Sequence, residues 1–229
     1  MKKPLIVFST GAGMSAESGI STFRDSGGLW ENYNVMDVAS HDGYCRNPKL
    51  IHDFYNARRA ELFRAQPNAG HRAIAELEKD YDVMVITQNV DNLHERAGSS
   101  NVLHLHGELD KVRAVDDESR VYTLTEDSCM TSPDTVIDGH RVRPHIVFFQ
   151  EAVPNFEPAT KIAARADIFV IIGTSLAVYP AASLLHYVRP GVPVYYIDPH
   201  PAQVPAGVSV IAQGASRGMQ TLLGILHRK

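Results

Sequence analysis

Four short segments of this 229-residue chain gather side chains and turns that do chemistry rather than fill space. The first follows an apolar run, Leu5–Ser9, and reads Thr10-Gly11-Ala12-Gly13-Met14-Ser15-Ala16-Glu17-Ser18-Gly19. Glycines let a backbone approach a ligand closely, and a helix opening behind them offers N–H groups to an anion. Strand, glycine turn and helix in that order suit the pyrophosphate of a dinucleotide; the same spacing also suits an ordinary tight turn. A dehydrogenase-type site adds an acidic residue about 20 positions on, at the end of a second strand. Residues 20–35 hold a polar, aromatic loop instead, running from Ile20 through Phe23-Arg24 to Trp30. That argues against a hydride-transfer enzyme. Phe23 beside Arg24 sets a planar apolar ring next to a cation, fit to cover a flat ligand and steady a phosphate. The plainer reading is a surface loop whose phenylalanine plugs the core.

The second segment, Thr87-Gln88-Asn89-Val90-Asp91-Asn92-Leu93-His94, is mostly polar and follows the apolar run from Asp82. Ligands collect at the carboxyl edge of a parallel sheet, although a simple loop with a helix cap at Asn92 also fits. The third is His104-Leu105-His106-Gly107. On a strand, residues two apart face the same way. The pair reads either as two metal ligands or as a site with one general base, and Gly107 favours a base where substrate comes close. The fourth, Gly173-Thr174-Ser175 through Tyr179-Pro180-Ala181, is a second glycine and hydroxyl turn opening a helix.

Alternating elements must position these segments. The pattern predicts strands at Leu5–Ser9, Asp82–Thr87, Val102–Leu105, Ile146–Phe149, Ile168–Ile172, Val194–Ile197 and Val208–Ile211, and helices at Pro48–Arg64, Ala69–Lys79, Pro158–Arg165, Pro180–Val188 and Ser216–His227. Continuous apolar strands alternating with amphipathic helices give an α/β fold, a doubly wound parallel Rossmann-like sheet. Residues Lys111 to Arg143 break the pattern with two hairpin-like pairs, around Asp117-Glu118-Ser119 and Asp138-Gly139, and predict an inserted small antiparallel module.

A net charge of -4 gives no general attraction to nucleic acid or anionic lipid, and Arg58-Arg59 and Arg141/Arg143 make too small a basic patch. No run approaches the roughly 20 apolar residues of a membrane span, and the short run after Lys2-Lys3 lacks a cleavage pattern. Two cysteines, Cys45 and Cys129, make neither a disulfide framework nor a four-cysteine metal site. The expectation is a cytoplasmic protein with no nucleic-acid or membrane partner.

Taken together, Gly11 through Ile20 with Phe23-Arg24, Thr87 through His94, His106-Gly107 and Gly173-Thr174-Ser175 resemble the sirtuins, NAD-consuming protein-lysine deacylases. The resemblance covers nearly the whole chain. It implies that Gly11, Ala12, Gly13 and Glu17 cradle phosphate and adenosine, that Phe23 and Arg24, with Trp30 in the same loop, lie toward the nicotinamide end, and that Gln88, Asn89, Val90 and Asp91 hold the nicotinamide ribose and carboxamide. It implies a general base at His106, assisted by Asn89 and Asp91, and an adenosine side built from Gly173, Thr174, Ser175, Asp198, Pro199 and Ala215. Asp198 stands where the family usually has asparagine. The implied chemistry is attack of the acyl-lysine amide oxygen on the nicotinamide ribose, loss of nicotinamide, and proton removal from a ribose hydroxyl by His106, leaving lysine and O-acyl-ADP-ribose.

Further expectations concern the acyl group and the small module. The helix from Pro48 sets Ile51, Phe54, Tyr55, Arg58 and Leu62 on one stripe. An arginine there needs a partner; a nearby acid would serve. Tyr55 and Arg58 resemble the Tyr-x-x-Arg pair of sirtuins that remove succinyl, malonyl or glutaryl groups, which implies acidic acyl-lysines alongside acetyl-lysine. Most sirtuins hold zinc on four cysteines in the small module. Here the first expected position is Ala114, and Cys129 with His140 is too thin a ligand set, so no zinc is expected. The segment Arg143 through Glu151, with Val147 and Phe149, resembles the family's substrate-pairing strand, with Gln150 where a glycine is usual.

The implied organisation is one catalytic domain. Its NAD-binding part is residues 1–40, 68–106 and 144–229; its small domain is a helical part, 41–67, and the module, 107–143. The expected partners are acyl-lysine proteins or peptides, and the expected state is a monomer. Competing readings are mono-ADP-ribosyl transfer from the same site, a non-catalytic NAD or ADP-ribose sensor, and a His-x-His metal hydrolase lacking an obvious carboxylate ligand.

Overall fold

The structure is a computed structural model, describing residues 2–20 and 33–227. Phe23, Arg24 and Trp30 lie outside the described residues.

Six parallel strands form the main sheet: β1 (Leu5–Thr10), β2 (Asp82–Thr87), β3 (Val102–His104), β8 (Ile168–Ile172), β9 (Val194–Ile197) and β10 (Val208–Ile211), in the order β10-β9-β8-β1-β2-β3. All six residues of β1 are buried, as the doubly wound pattern requires. Its side chains alternate between two cores. Ile6 and Phe8 join Ile74 of α4 (Ala69–Glu76) and Met219 and Leu222 of α7 (Ala215–Leu226). Leu5 and Val7 join Ala159 and Ala163 of α6 (Phe156–Ala163) and Leu184 of a 3-10 helix, Ala181–Tyr187. That last element was expected as an α-helix from Pro180.

The small module is a four-stranded antiparallel sheet of β4 (Gly107–Ala114), β5 (Val121–Thr123), β6 (Val136–Ile137) and β7 (His140–Ile146), ordered β5-β4-β7-β6. The two expected hairpins are present, and β4 pairing with β7 joins them into one sheet. Val112, Leu124 and Val142 are its small core. The strand expected over Ile146–Phe149 is not formed: β7 stops at Ile146, and Phe149 keeps one parallel bridge to Ser40. That bridge ties the segment to the start of α2 (His41–Arg46), which follows α1 (Val35–Val38).

The helix α3 (Pro48–Arg64) packs Ile51, Phe54, Tyr55 and Leu62 against Leu109 and Ile146 of the module and Phe148 just beyond β7. The Asn47 side chain caps its N-terminus through Leu50 N, and Pro48 fills the first turn. The arginine it buries outright is Arg59, at 0% exposure, and not Arg58. Arg59 donates from Nε to the Cys129 carbonyl at 2.8 Å and from Nη2 to Asn56 Oδ1 at 2.6 Å and Thr131 Oγ1 at 2.8 Å. Asn56 in turn holds both backbone groups of Thr131, and His52 Nδ1 lies 2.9 Å from Thr131 Oγ1. This polar network fastens the stretch around Cys129 to α3. Burial lowers Arg59 to about 10 and His52 to about 4.

Candidate active site

The sheet order reverses at β1 and β8, and ligands of doubly wound sheets bind at the carboxyl ends beside such a reversal. The two glycine turns follow those two strands and interlock. Gly11 N donates to Ile172 O at 2.9 Å and Gly13 N to Gly173 O at 2.8 Å. A Cβ on Gly13 would lie 2.7 Å from Gly173 Cα, and one on Gly173, at φ +61, would lie within 2.4 Å of Gly13 C. These glycines are demanded first by turn-on-turn packing. The helix behind the turn is two short 3-10 turns, Ala12–Met14 and Ala16–Ser18. Met14 N and Ser15 N donate back to Gly11 O and Ala12 O. Of the five N–H groups from Gly11 to Ser15, Ala12 alone has no internal acceptor among the described residues. Over residues 11–15 the expected row of open N–H groups is therefore corrected to one.

Behind the turn lies a buried network. Ser15 Oγ donates to Asp91 Oδ2 at 2.9 Å and accepts from Asn89 Nδ2 at 3.1 Å. Ser15 stands in the glycine segment but has no role in the sequence reading; only the fold shows it joining the two. Burial raises the Asp91 carboxyl, against the opposing bonds from Ser15 and Leu93 N. Asn92 stands at the N-cap of α5 (Leu93–Arg96), as expected, but its side chain donates to Asp110, and Asp91 Oδ1 accepts from Leu93 N at 3.1 Å in its place. Gln88 reaches across to Thr174, Nε2 to Oγ1, at 3.2 Å. Asn68, another residue the sequence reading missed, donates to Met14 O and Ser18 Oγ and caps α4.

His106 follows β3. Its Nδ1 lies 3.1 Å from the Gln88 carbonyl. A carbonyl can only accept, so Nδ1 carries the proton and Nε2 keeps its lone pair. Burial lowers the pKa of His106, partly offset by that bond. This is the tautomer and the neutral form a general base needs. Gly107, at φ +83, turns the chain into β4; a Cβ there would lie 2.0 Å from His145 O. His104 behaves differently. Its Nδ1 donates to Asn89 O at 3.0 Å, and its Nε2 lies 2.7 Å from Glu95 Oε1. Burial opposes its charged form, but Glu95 outweighs that and raises its pKa. The two imidazoles expected on one face do share a task, gripping the consecutive carbonyls of Gln88 and Asn89.

At the adenosine end expected from sequence, Glu17 Oε1 accepts from Ser216 N at 3.1 Å, so the glycine segment and the start of α7, where Ala215 is buried, come together. Asp198 Oδ1 accepts from His200 N at 2.8 Å and follows β9 at the same edge. Pro199 is exposed beside it, and Ser175 and Val90 are partly buried in their loops.

Tyr55 is buried and its phenol is pushed up to about 12, chiefly by burial. Arg58 is partly buried, hydrogen-bonds that phenol, and has its pKa lowered by burial; Asp91 is among the acids acting on it. Val147 N donates to His106 O at 3.0 Å. Phe149 is 45% exposed, but its N–H bonds Ala39 O and its carbonyl accepts from His41 N. The N–H is therefore closed to substrate pairing, while the carbonyl keeps a second lone pair. Gln150, at φ +77, bonds Asp42 through both ends of its amide. Among the described residues, the one group of three side chains able to share a metal ion is Glu95, His104 and Glu108. This corrects the lack of carboxylates beside the histidine pair; neither Cys129 nor His140 belongs to such a group.

Fold and site thus define an α/β domain of the nucleotide-binding type, with a buried polar floor and, at its carboxyl edge, the His106 imidazole held through Nδ1 on the Gln88 carbonyl. The Sir2 family pattern matches residues 11–180. An NAD-dependent protein deacylase of Bacteroides thetaiotaomicron is 54% identical over 98% of both chains, and one of Helicobacter pylori is 50% identical over 96% of both. Among solved structures, a Sir2 homologue in complex with NAD superposes with a TM-score of 0.87 at 37% identity, covering 99% of this chain and 90% of that one. A mutant Sir2 homologue in complex with ADP-ribose gives 0.89 at 36%, covering 99% and 93%. The chain belongs to the Sir2 family.

Proposed function

We propose that the chain is an NAD-dependent protein-lysine deacylase with His106 as its base, and that Tyr55 and Arg58 extend its range to succinyl- and malonyl-lysine. The observation that carries the reading is the His106 Nδ1 bond to Gln88 O, which aims an unprotonated Nε2 from the strand end next to the buried Ser15–Asn89–Asp91 floor. The site fits NAD chemically: an interlocked glycine pair, one open N–H at Ala12, and amide and carboxylate groups suited to ribose hydroxyls. NAD supplies the electrophilic ribose carbon and the leaving nicotinamide. The chain's own work is to hold the ribose with Asn89 and Asp91, keep water out, and accept a proton at His106 Nε2.

The acyl preference rests on Arg58. Its guanidinium is partly buried beside the Tyr55 phenol, and an acyl carboxylate there would gain a charge-assisted bond in place of water. We read residues 41–67 and 107–143 as the small domain and the remainder as the NAD-binding part. We further read the protein as a cytoplasmic monomer without structural zinc, its module held by Arg59 and Asn56; the described residues contain no helix long and apolar enough to cross a membrane.

The test is incubation with NAD and one peptide carrying acetyl-, succinyl- or malonyl-lysine, with mass detection of products. O-acyl-ADP-ribose and free lysine support the reading. ADP-ribose attached to the protein would instead mark a transferase. His106→Ala should abolish turnover while keeping NAD binding; near-normal turnover by that variant would sink the assignment.

A further inference from the structure

We propose that His104 and Glu95 form a positioning pair that fixes the Asn89–Asp91 segment for the deacylase reaction. The proposal rests on that functional reading. Asn89 is held at three points. Its N–H donates to Thr87 Oγ1 at 3.0 Å, its side-chain Nδ2 to Ser15 Oγ at 3.1 Å, and its carbonyl accepts from His104 Nδ1 at 3.0 Å. The first two contacts come from β2 and the glycine turn. The third comes from β3, and with His106 on Gln88 O it locks two successive peptides of the loop that carries Asp91. His104 is itself braced, because Asn155 Nδ2 donates to its carbonyl at 2.8 Å.

Glu95 is what makes the grip two-sided. With a carbonyl at Nδ1 and a carboxylate 2.7 Å from Nε2, both ring nitrogens face acceptors, and only the doubly protonated ring satisfies both. A neutral ring must turn a lone pair toward either Glu95 or the Asn89 carbonyl. The charged groups acting on His104 are Glu95 on α5 and Glu108 on β4, with Asp91 and His94 feeling its charge from the 87–96 stretch; Lys111 sits on Glu108 at 2.6 Å. His104 and His106 thus stand two residues apart with opposite shifts, one toward the charged ring that its two acceptors require and one toward the neutral ring.

The test separates the two contacts. Asparagine places its amide nitrogen near the position of Nδ1, so His104→Asn keeps the bond to Asn89 O and drops Glu95. Glutamine reaches toward Glu95 and drops Asn89. His104→Gln should lose about 10- to 100-fold in kcat, with the KM for NAD little changed, because a displaced reacting group costs rate more than binding. His104→Asn should recover much of that loss. Glu95 is exposed, so Glu95→Gln will fold; it should move the alkaline limb of the kcat/KM profile to lower pH and leave the acid limb, set by His106, in place. The proposal is overturned if His104→Gln turns over like wild type, if both His104 variants fall equally, or, should they not fold, if Glu95→Gln leaves the alkaline limb unmoved. Wild-type protein assayed alongside separates the two readings. If it releases no nicotinamide with acyl-lysine peptide, both fall; if it is active and the variants are indifferent, only this one does.

Discussion

Replacing Gly13 by alanine tests which demand makes it a glycine. A Cβ there would lie 2.7 Å from Gly173 Cα, 3.1 Å from Gly173 O and 3.2 Å from Gly173 C. Carbon atoms rest about 3.5–4.0 Å apart, so the two turns must separate by about 1 Å. Neither can rotate away, because both partners are backbone and Gly13 N is bonded to Gly173 O across the same gap. Overpacking of this kind costs about 1–3 kcal/mol, which lowers the melting temperature by about 2–12 °C for a chain of this size. The same separation pulls Ala12 and Ser15 away from the β8 side of the cleft. NAD affinity should therefore fall together with stability. Thermal melting and calorimetric NAD titration of Gly13→Ala give both numbers. If melting is unchanged while NAD affinity drops, the glycine serves ligand approach alone, and the interlocked-turn argument is refuted.

Arg58→Met should reduce kcat/KM for succinyl-lysine by about 10- to 100-fold, the value of a charge-assisted hydrogen bond of about 1.5–3 kcal/mol, and barely touch acetyl-lysine; equal losses on both peptides would exclude a carboxylate clamp. Because burial lowers His106, the base form should persist below pH 6.5, and the acid limb of kcat/KM should fall below that value, read from a pH profile on acetyl peptide. Stability should decline as pH falls from 6.5 to about 4. His52 and His71 are fully buried with pKa values near 4, so over that window the unfolded chain binds protons that the folded chain refuses, at about 3 kcal/mol apiece; urea midpoints at pH 7, 5 and 4 would show it. Arg59→Met should destabilise by about 2 kcal/mol by stranding the Cys129 carbonyl, whereas a chelator should leave the urea midpoint unchanged.

The sequence by itself determined the sheet and the places where chemistry would collect. Apolar, largely β-branched or aromatic runs favour strands, so β2, β8, β9 and β10 fall at the expected residues. The glycine, polar and histidine segments stand at strand ends because chain order and period alone put them there. Element ends were harder. Ile146–Phe149 reads as a strand, but the partner across from Phe149 is Ser40, over a hundred positions away, and local pattern carries no trace of that bridge. Arg58 interrupts an apolar stripe and is visible for that reason, whereas Arg59 lies off the stripe and shows its burial only once the Cys129–Thr131 stretch folds over it.

Tertiary structure alone decided what each polar group does. Gly11 and Gly13 look like ligand-facing glycines until β8 brings Gly173 against them. Ser15 is one hydroxyl among several until β2 sets Asn89 and Asp91 on either side of it. His104 and His106 are chemically identical in the sequence. Their difference arises because one ring meets Glu95 and the other does not, and a protonation state depends on the charges and burial around a group rather than on its neighbours along the chain.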